Sequence, residues 1–475
     1  MTLEVTRPPK KLAETTAERI EADIIERGWP TGEVIGSESE LLERYGVSRG
    51  VFREAIRLIE HKQVARMRRG PGGGLVVTEP ADGPVVDAVA VYVRFADVTL
   101  EEIFEARKVV EATATELAAA RLSEDDLDQL RCEFGSESTV SPHASDDAQE
   151  LHRRLASLTG NAALELFATV LTRLTTLYVG SLPVSATSRR QRTEASHEAH
   201  VAIVDALLGG NPGLAAHRMV RHLDALEEFL RRRRASQTVI SELLGGSTAN
   251  SSAKLAEDLA RSIFREVAER GWPVGEVIGS EAVLTEKHDV SRAVLREAIR
   301  LLEYHQIARM RRGPGGGLVV TEPGVDAIAD AMTLYLEYRG VRPEHLYELR
   351  AAVEVAAIER AAARLDDEGR ALIVETLDRE HADPTADLNV VSHDLHVVLA
   401  ELSGNRLLAL FLRILVRLSA RHTPADAASP RSRDAVVAEV HHVHGRVAEA
   451  VLDGDADLAR HRMQRHLEAL LPFYV

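Results

Sequence analysis

The chain has 475 residues, 45% of them apolar and 28% charged, with a formal net charge of −16. That length is too great for one small core, and the acidic balance excludes a protein that coats nucleic acid over its whole surface. A lone cysteine, Cys132, excludes an intramolecular disulfide framework. The N-terminus "MTLEVTRPPKKLAETTAERI" has no apolar leader, and no apolar run nears the ~18 residues that span a bilayer, so a cytoplasmic protein is expected.

Aromatic residues make up only 4% while Ala, Leu, Arg and Glu are plentiful, which favours helices over sheets. Residues 14–28 carry Ile20, Ile24 and Ile25 at helical spacing and stop at Gly28. Ser37 with Glu40 three positions on predicts a capping box at the head of a short helix that Gly46 ends. Ser48 then opens "SRGVFREAIRLIEHKQ". A short helix, a turn and a longer helix predict a helix-turn-helix. Next come "VARMRRG", a Gly/Pro turn and "GLVVTEP", two short strands of a β-hairpin.

The stretch "ARMRRGPGGGLVVTEP" (65–80) returns unchanged at 308–323, and "ERGWP", "GEVIGSE" and "REAIRL" recur at the same 243-residue offset. Fainter repeats follow: "LHRRLASLTGN" ending at Asn161 answers "LHVVLAELSGN" ending at Asn405. Two fused copies are therefore expected, in the second of which Ser280, Asp289 and Ser291 mark the same helix-turn-helix. Five segments result: a winged helix-turn-helix at 10–80, a helical domain at 85–232, a Gly/Ser/Thr/Asn-rich linker at 233–252, a second winged helix-turn-helix at 253–323 and a second helical domain at 324–475.

Charge is concentrated where the copies agree best. From Arg44 to Gly70 eight Lys/Arg face two Glu, and from Lys287 to Gly313 seven face three acids. The N-terminal end of a helix-turn-helix's second helix is the part that enters a major groove. This predicts DNA contacts from Ser48, Arg49 and Arg53, and from Ser291, Arg292 and Arg296. Arginines beside a side-chain-free wing tip suit phosphates or a narrow minor groove. That adds Arg66, Arg68, Arg69, Gly72 and Gly73, with Arg309, Arg311, Arg312, Gly315 and Gly316 in the second copy. A nucleotide phosphate loop is a poor alternative, because "GPGGGLVVTEP" lacks the Gly-Lys-Ser/Thr ending and leads into a strand.

These residues, "VSRGVFREAIRLIE…RGPGGGLVV", resemble the DNA-binding domain of the GntR superfamily of bacterial transcription regulators. The resemblance covers nearly all of 14–80 and 257–323. One position departs: where members often carry an arginine in the first helix of the motif, this chain has Ser39 and Ala282. The helical regions 100–230 and 343–470 resemble the effector-binding (FCD-type) bundle of the FadR subfamily. The features are Arg-x-x-x-Glu (Arg107/Glu111, Arg350/Glu354), a His ahead of Gly-Asn, a second His ahead of an Ala, and a closing Arg-His-Leu.

The fold class so implied is mainly α: two winged helix-turn-helix domains with small β-hairpin wings, and two all-helical effector domains, arranged as a fused pseudo-dimer. The resemblance implies one metal site per helical domain, at His152, His200 and His222 and at His396, His444 and His466. Three imidazoles converging in a bundle core suit Zn²⁺ or Ni²⁺ with positions left open. The Asp that usually completes the set is replaced by Ala148 and Ser392, so hydrogen-bonded core histidines, or pockets binding an organic ligand without metal, stay open. By the same resemblance Arg107 and Arg350 clamp the carboxylate of a small organic acid; as i,i+4 pairs with Glu they read equally as helix salt bridges.

The expectation is a sequence-specific DNA-binding regulator, a repressor, acting on an operator in double-stranded DNA with no membrane partner, as an intramolecular pseudo-dimer that can assemble further. A metal-dependent enzyme on the His clusters is the alternative of another class; no general base or paired nucleophile supports it.

Overall fold

The computed structural model describes residues 12–70, 72–134, 144–180, 186–232, 251–313, 315–382, 388–422 and 433–470. Residues 233–250 of the expected linker, the wing-tip prolines Pro71 and Pro314, and the side chains of Ala148 and Ser392 lie outside the described residues, while the linker's last two expected residues, 251 and 252, already belong to a helix. The described chain is mainly helical with short strands, and none of its helices is long and apolar enough to cross a membrane. It divides into two compact units: residues up to Val85 with Asp330–Gly340, and Val86–Ala329 with the chain from Val341 onward.

In the first unit, α1 (Leu12–Glu26), α2 (Glu38–Tyr45) and α3 (Arg49–His61) precede a hairpin of β1 (Ala65–Arg68) and β2 (Gly74–Val77). The capping box forms as its residue types require: Ser37 N–H donates to Glu40 Oε2 at 2.8 Å and Glu40 N–H to Ser37 Oγ at 3.3 Å. Gly46 takes the left-handed conformation (φ 65°) that lets α2 stop and the chain reverse into α3. Apolar faces of the three helices and the hairpin meet in one core containing Ile20, Ile24, Leu41, Phe52, Ile59 and Leu75. Leu334, distant in sequence, is buried in the same core, and the Tyr338 ring lies 5.4 Å from that of Trp29.

In the second unit, α4 (Gly83–Phe95) leads into α5 (Leu100–Arg121), α6 (Glu124–Phe134), α7 (Ala144–Leu158), α8 (Ala162–Gly180), α9 (Ala186–Leu208) and α10 (Pro212–Arg232). Next come α11 (Ser251–Glu269), β3 (Val277–Gly279), α12 (Glu281–His288), α13 (Arg292–Tyr304), β4 (Ala308–Arg311) and β5 (Gly317–Val320). Here the expected two-stranded hairpin gains an edge strand, giving the antiparallel order β3-β5-β4. In the first unit the same contact is a single bridge, Val34 to Val76. Arg94 on α4 donates to the carbonyl of Ala268 at 2.7 Å, and Phe95 packs edge-on to Trp272 at 5.6 Å. Thus residues of the helix after the first winged motif seal the second motif, while residues of the helix after the second motif complete the first.

The chain continues through α14 (Val325–Tyr338), α15 (Pro343–Arg364), α16 (Asp367–Ala382), α17 (Leu388–Leu402), α18 (Arg406–His422), α19 (Arg433–Leu452) and α20 (Ala456–Leu470). Helices α5–α10 and α15–α20 form two bundles with separate apolar cores. These pack against each other through α5, α8, α15 and α18, with Phe167 and Phe411 edge to face at 4.6 Å. The Gly-Asn pairs explain themselves here. Asn161 Oδ1 caps α8 by accepting from the Ala163 and Leu164 amides, and its Nδ2 donates to His345 O and Glu348 Oε2 of the other bundle, both at 2.9 Å. Asn405 caps α18 in the same way and donates to Glu102 O at 3.0 Å and Glu105 Oε2 at 2.8 Å.

Candidate DNA-reading surfaces and metal centres

Ser48 and Ser291 are the N-caps of α3 and α13, accepting from the amides of Val51 and Val294. This sets Arg49 and Arg292 at the first helical position and Arg53 and Arg296 one turn on, all exposed. Their opposite faces, with Phe52 and Leu295, are buried. Glu38 lies 3.7 Å from Arg53, and Glu281 holds Arg296 at 3.0 Å, so each second arginine is steadied by the preceding helix. On the wings Arg66, Arg68 and Arg69 are exposed, as are Arg309, Arg311 and Arg312. Arg68 folds back to donate to Gly72 O at 2.9 Å, and Arg311 does so to Gly315 O at 3.0 Å. The glycines have unequal reasons. Gly72 and Gly315 are exposed with φ near +70° and open space around them. A Cβ on Gly73 or Gly316 would lie 2.3 Å from the carbonyl oxygen of Arg68 or Arg311, so these two are demanded by the turn itself.

In each bundle three helices deliver one histidine apiece to a buried point: His152 (α7), His200 (α9) and His222 (α10); His396 (α17), His444 (α19) and His466 (α20). The rings lie 4.8–5.2 Å apart, centroid to centroid. The ε nitrogens face one another: His200 to His222 is 3.3 Å, and His396 is 3.3 Å from both His444 and His466. Behind the first histidine of each set stands a buried relay. Arg107 Nε donates to Glu111 Oε1 at 2.6 Å, and Glu111 Oε2 meets His152 Nδ1 at 2.5 Å. Arg350, Glu354 and His396 repeat it. Glu380 Oε2 takes Nδ1 of His444 at 2.9 Å.

The electrostatics favour neutral rings at His200, His222, His396 and His466. Burial depresses His222 to about 3 and His466 to about 2, with a neighbouring histidine adding to the effect in each case. Burial likewise drives His200 well down and lowers His396. Burial pushes Glu111 up, but Arg107 and His152 overcome it and hold the carboxylate at about 2. A carboxylate on Nδ1 fixes that nitrogen as the N–H and turns the Nε2 lone pair toward the other rings. Where ε nitrogens meet at 3.3 Å, either one neutral ring donates its N–H to the next or a cation sits among the lone pairs. A tetrahedral ion about 2.0–2.1 Å from each nitrogen would hold them roughly 3.3 Å apart. Both clusters therefore fit a divalent ion, held by three imidazoles with the remaining positions open.

Arg107 and Arg350 are each 2% exposed and give Nε to Glu111 and Glu354. Asp394, on α17, is exposed. A cleft of about 350 Å³ between α9 and α10, lined by Arg192, Arg218, Arg221 and Phe229, reaches His222. Sequence reasoning missed three things: the link from Glu111 and Glu354 to a histidine, the part of Glu380, and the work of Asn161 and Asn405 between the bundles. The first had a visible signal, since the Arg-x-x-x-Glu pair recurs in both copies. The second had a faint one, since Glu137 stands at the same 243-residue offset from Glu380, outside the described residues.

An exposed basic helix start, a basic wing and a helical bundle with a buried ligand-ready centre define a DNA-binding regulator with a sensor domain. The FCD domain model matches residues 102–225 and again 345–469, more than half the chain, and the model of the bacterial regulatory proteins of the gntR family matches residues 12–75. The chain belongs to the FCD family and carries, at residues 12–75, a segment that matches the bacterial regulatory proteins of the gntR family. The Uxu operon regulator of Haemophilus influenzae is 27% identical over 154 residues, 30% of this chain and 53% of that protein, so the chain spans about half its length. The transcriptional repressor NanR of Escherichia coli is 25% identical over 224 residues, 46% of this chain and 83% of that protein. A solved structure titled Streptococcus agalactiae GntR is 21% identical, covers 45% of this chain and 98% of its own, and has a TM-score of 0.34.

Proposed function

We propose that this chain is a repressor that acts as its own dimer: two DNA readers and two metal-loaded sensor bundles in one polypeptide. Most of a NanR-like protein matches within less than half of this chain, which supports a tandem duplication. The observation that carries the pairing is a broken symmetry between the bundles. Arg406, just after Asn405, binds Glu102 through its amide at 2.8 Å, Nε at 2.9 Å and Nη2 at 2.7 Å. The position equivalent to Arg406 in the first bundle is Ala162, and the one equivalent to Glu102 in the second is His345. Pairing the second bundle with another copy of itself would set Arg406 against His345. Pairing the first with itself would leave Glu102 facing Ala162. Only the unlike pair matches charge to charge, which is how specificity is built against wrong partners.

In this reading Arg49, Arg53, Arg292 and Arg296 enter major grooves, with the wing arginines on phosphates or the minor groove. Each His triad holds one Zn²⁺ or Ni²⁺. A small organic acid completes the open positions, and Arg107 and Arg350, which act electrostatically on His222 and on His396 and His466, attract its carboxylate. The acid prefers one arrangement of the domains and so shifts operator affinity. The test is sedimentation of the chain on its operator, with and without metal and a panel of short carboxylic acids. One chain per operator, released by an acid only when metal is present, is expected. Two chains per operator would refute the self-dimer, and release independent of metal would refute the sensor.

A further inference from the structure

The joint between α4 and α5 runs over residues 96–99, and one side chain of the second bundle spans it. Asp97 takes the left-handed conformation (φ 54°) there, and the Val98 amide closes α4 by donating to Val93 O at 3.0 Å. Arg406 uses all three guanidinium nitrogens across this turn. Nη1 donates to Ala96 O at 2.5 Å on the near side; Nε and Nη2 grip the two carboxylate oxygens of Glu102 on the far side, at 2.9 and 2.7 Å. Glu102 is itself tied to the joint, accepting from the Thr99 amide at 2.8 Å. A planar fork held at three points fixes an angle as well as a distance, which a single ammonium does not. The same end of α4 holds the second winged motif. Arg94 donates to Ala268 O at 2.7 Å, and Phe95 lies edge-on to Trp272 at 5.6 Å. Trp272 is buried, and its Nε1 donates to Thr321 O, just past β5, at 2.8 Å. Residues 94 and 95 thus touch the second reader while residue 96 is clamped to the second bundle.

We propose that Arg406 is a positioning residue for DNA reading: by locking the α4–α5 joint it fixes the second reader on the bundles, so that this reader docks on an operator already oriented. The inference rests on the self-dimer reading above. A reader held in its binding orientation loses less freedom on docking, so its attachment adds more to the affinity of the whole chain. The contacts that this reader makes with bases are a separate matter, because Arg406 lies on α18 whereas Arg292 and Arg296 lie on α13.

The experiment measures, for the full-length chain, affinity for a full operator and for its second half-site alone (the one whose protection Arg292→Ala removes), on duplexes selected from a randomised pool. Arg406→Ala should lower the ratio of the two affinities roughly tenfold while the half-site affinity holds. Arg406→Lys, which keeps the charge without the fork, should fall between. Arg94→Ala breaks the contact with the reader and leaves Arg406 and Glu102 in place, so it should lower the ratio in the same way even if Arg406→Ala does not fold. A folded Arg406→Ala or Arg94→Ala protein with the wild-type ratio would overturn the assignment. So would a half-site affinity that falls as far as that for the full operator, since the effect would then lie inside the reader. Sedimentation of the same complexes keeps the two readings apart. Two chains per operator would overturn the self-dimer and this inference with it, whereas one chain per operator with an unmoved ratio overturns the lock alone.

Discussion

The two halves agree where they would meet DNA and differ where they meet each other. The wing segment is identical over sixteen residues, and the recognition helices keep Ser, Arg and Arg in the same places. The bundles have drifted, yet both keep an arginine, a glutamate and three histidines in one buried relay. The differences fall at Ala162 against Arg406 and at Glu102 against His345. Surfaces that serve a common partner resist change in both copies, whereas surfaces that face each other are free to change as matched pairs once the copies are joined.

The largest effect expected from breaking this comparison is at the readers. Replacing Arg49 and Arg292 together with Ala should abolish specific operator binding in gel shifts, since a good base contact contributes about 1–3 kcal/mol and two are lost. Either single variant should lose its own half-site only, which footprinting would resolve; equal protection of both half-sites in a single variant would mean the readers are not separately engaged.

Next comes the bundle interface. Arg406→Ala or Glu102→Gln should destabilise the paired bundles by roughly 1.5–3 kcal/mol in denaturant unfolding, the range for charged hydrogen bonds. The equivalent change His345→Gln should do far less. Glu102 adds a pH signature. Burial raises its pKa, but hydrogen bonds from Arg406 and Thr99 reverse this and hold it at about 2. Its folded pKa is depressed, so its stabilisation is complete above the unfolded value near 4.5 and is lost as pH falls toward 2. Arg406→Ala should flatten that part of the stability curve.

The histidines give a second window. His222 and His466 are depressed to about 3 and about 2, so below about pH 6.5 the unfolded chain takes up protons that the folded chain refuses. Metal-free protein should therefore lose about 2 kcal/mol per such histidine between pH 7 and pH 5. Bound metal should oppose the loss, and melting curves with and without chelator would measure the difference. The smallest effect sharpens the readers' one visible difference at the helix start, Gly50 against Ala293, both exposed. An alanine methyl can touch a thymine methyl. Ala293→Gly should reduce preference for thymine in the second half-site by a few tenths to about 1 kcal/mol, and selection from randomised half-sites would detect it.

Much of this was legible in the chain itself. The offset repeats, the Ser37–Glu40 cap, the turn at Gly46 and the alternation of exposed arginines with buried Phe52 or Leu295 are local, and local preference is written in adjacent residues. The histidine triads were legible only through the resemblance to the FadR subfamily, carried over residue by residue. What the letters could not convey was which partners distant segments would find: Leu334 and Tyr338 completing the first winged motif, the third strand at Val277, Asn405 and Arg406 reaching Glu102, Glu380 behind His444. Helix period, caps and turns follow from a few neighbouring side chains, so the sequence alone determined the elements and the basic reading face. Contacts between residues hundreds of positions apart depend on how whole helices pack, and packing is settled by the shape and charge of the assembled core, so only the tertiary structure decided the relays and the unlike pairing of the bundles.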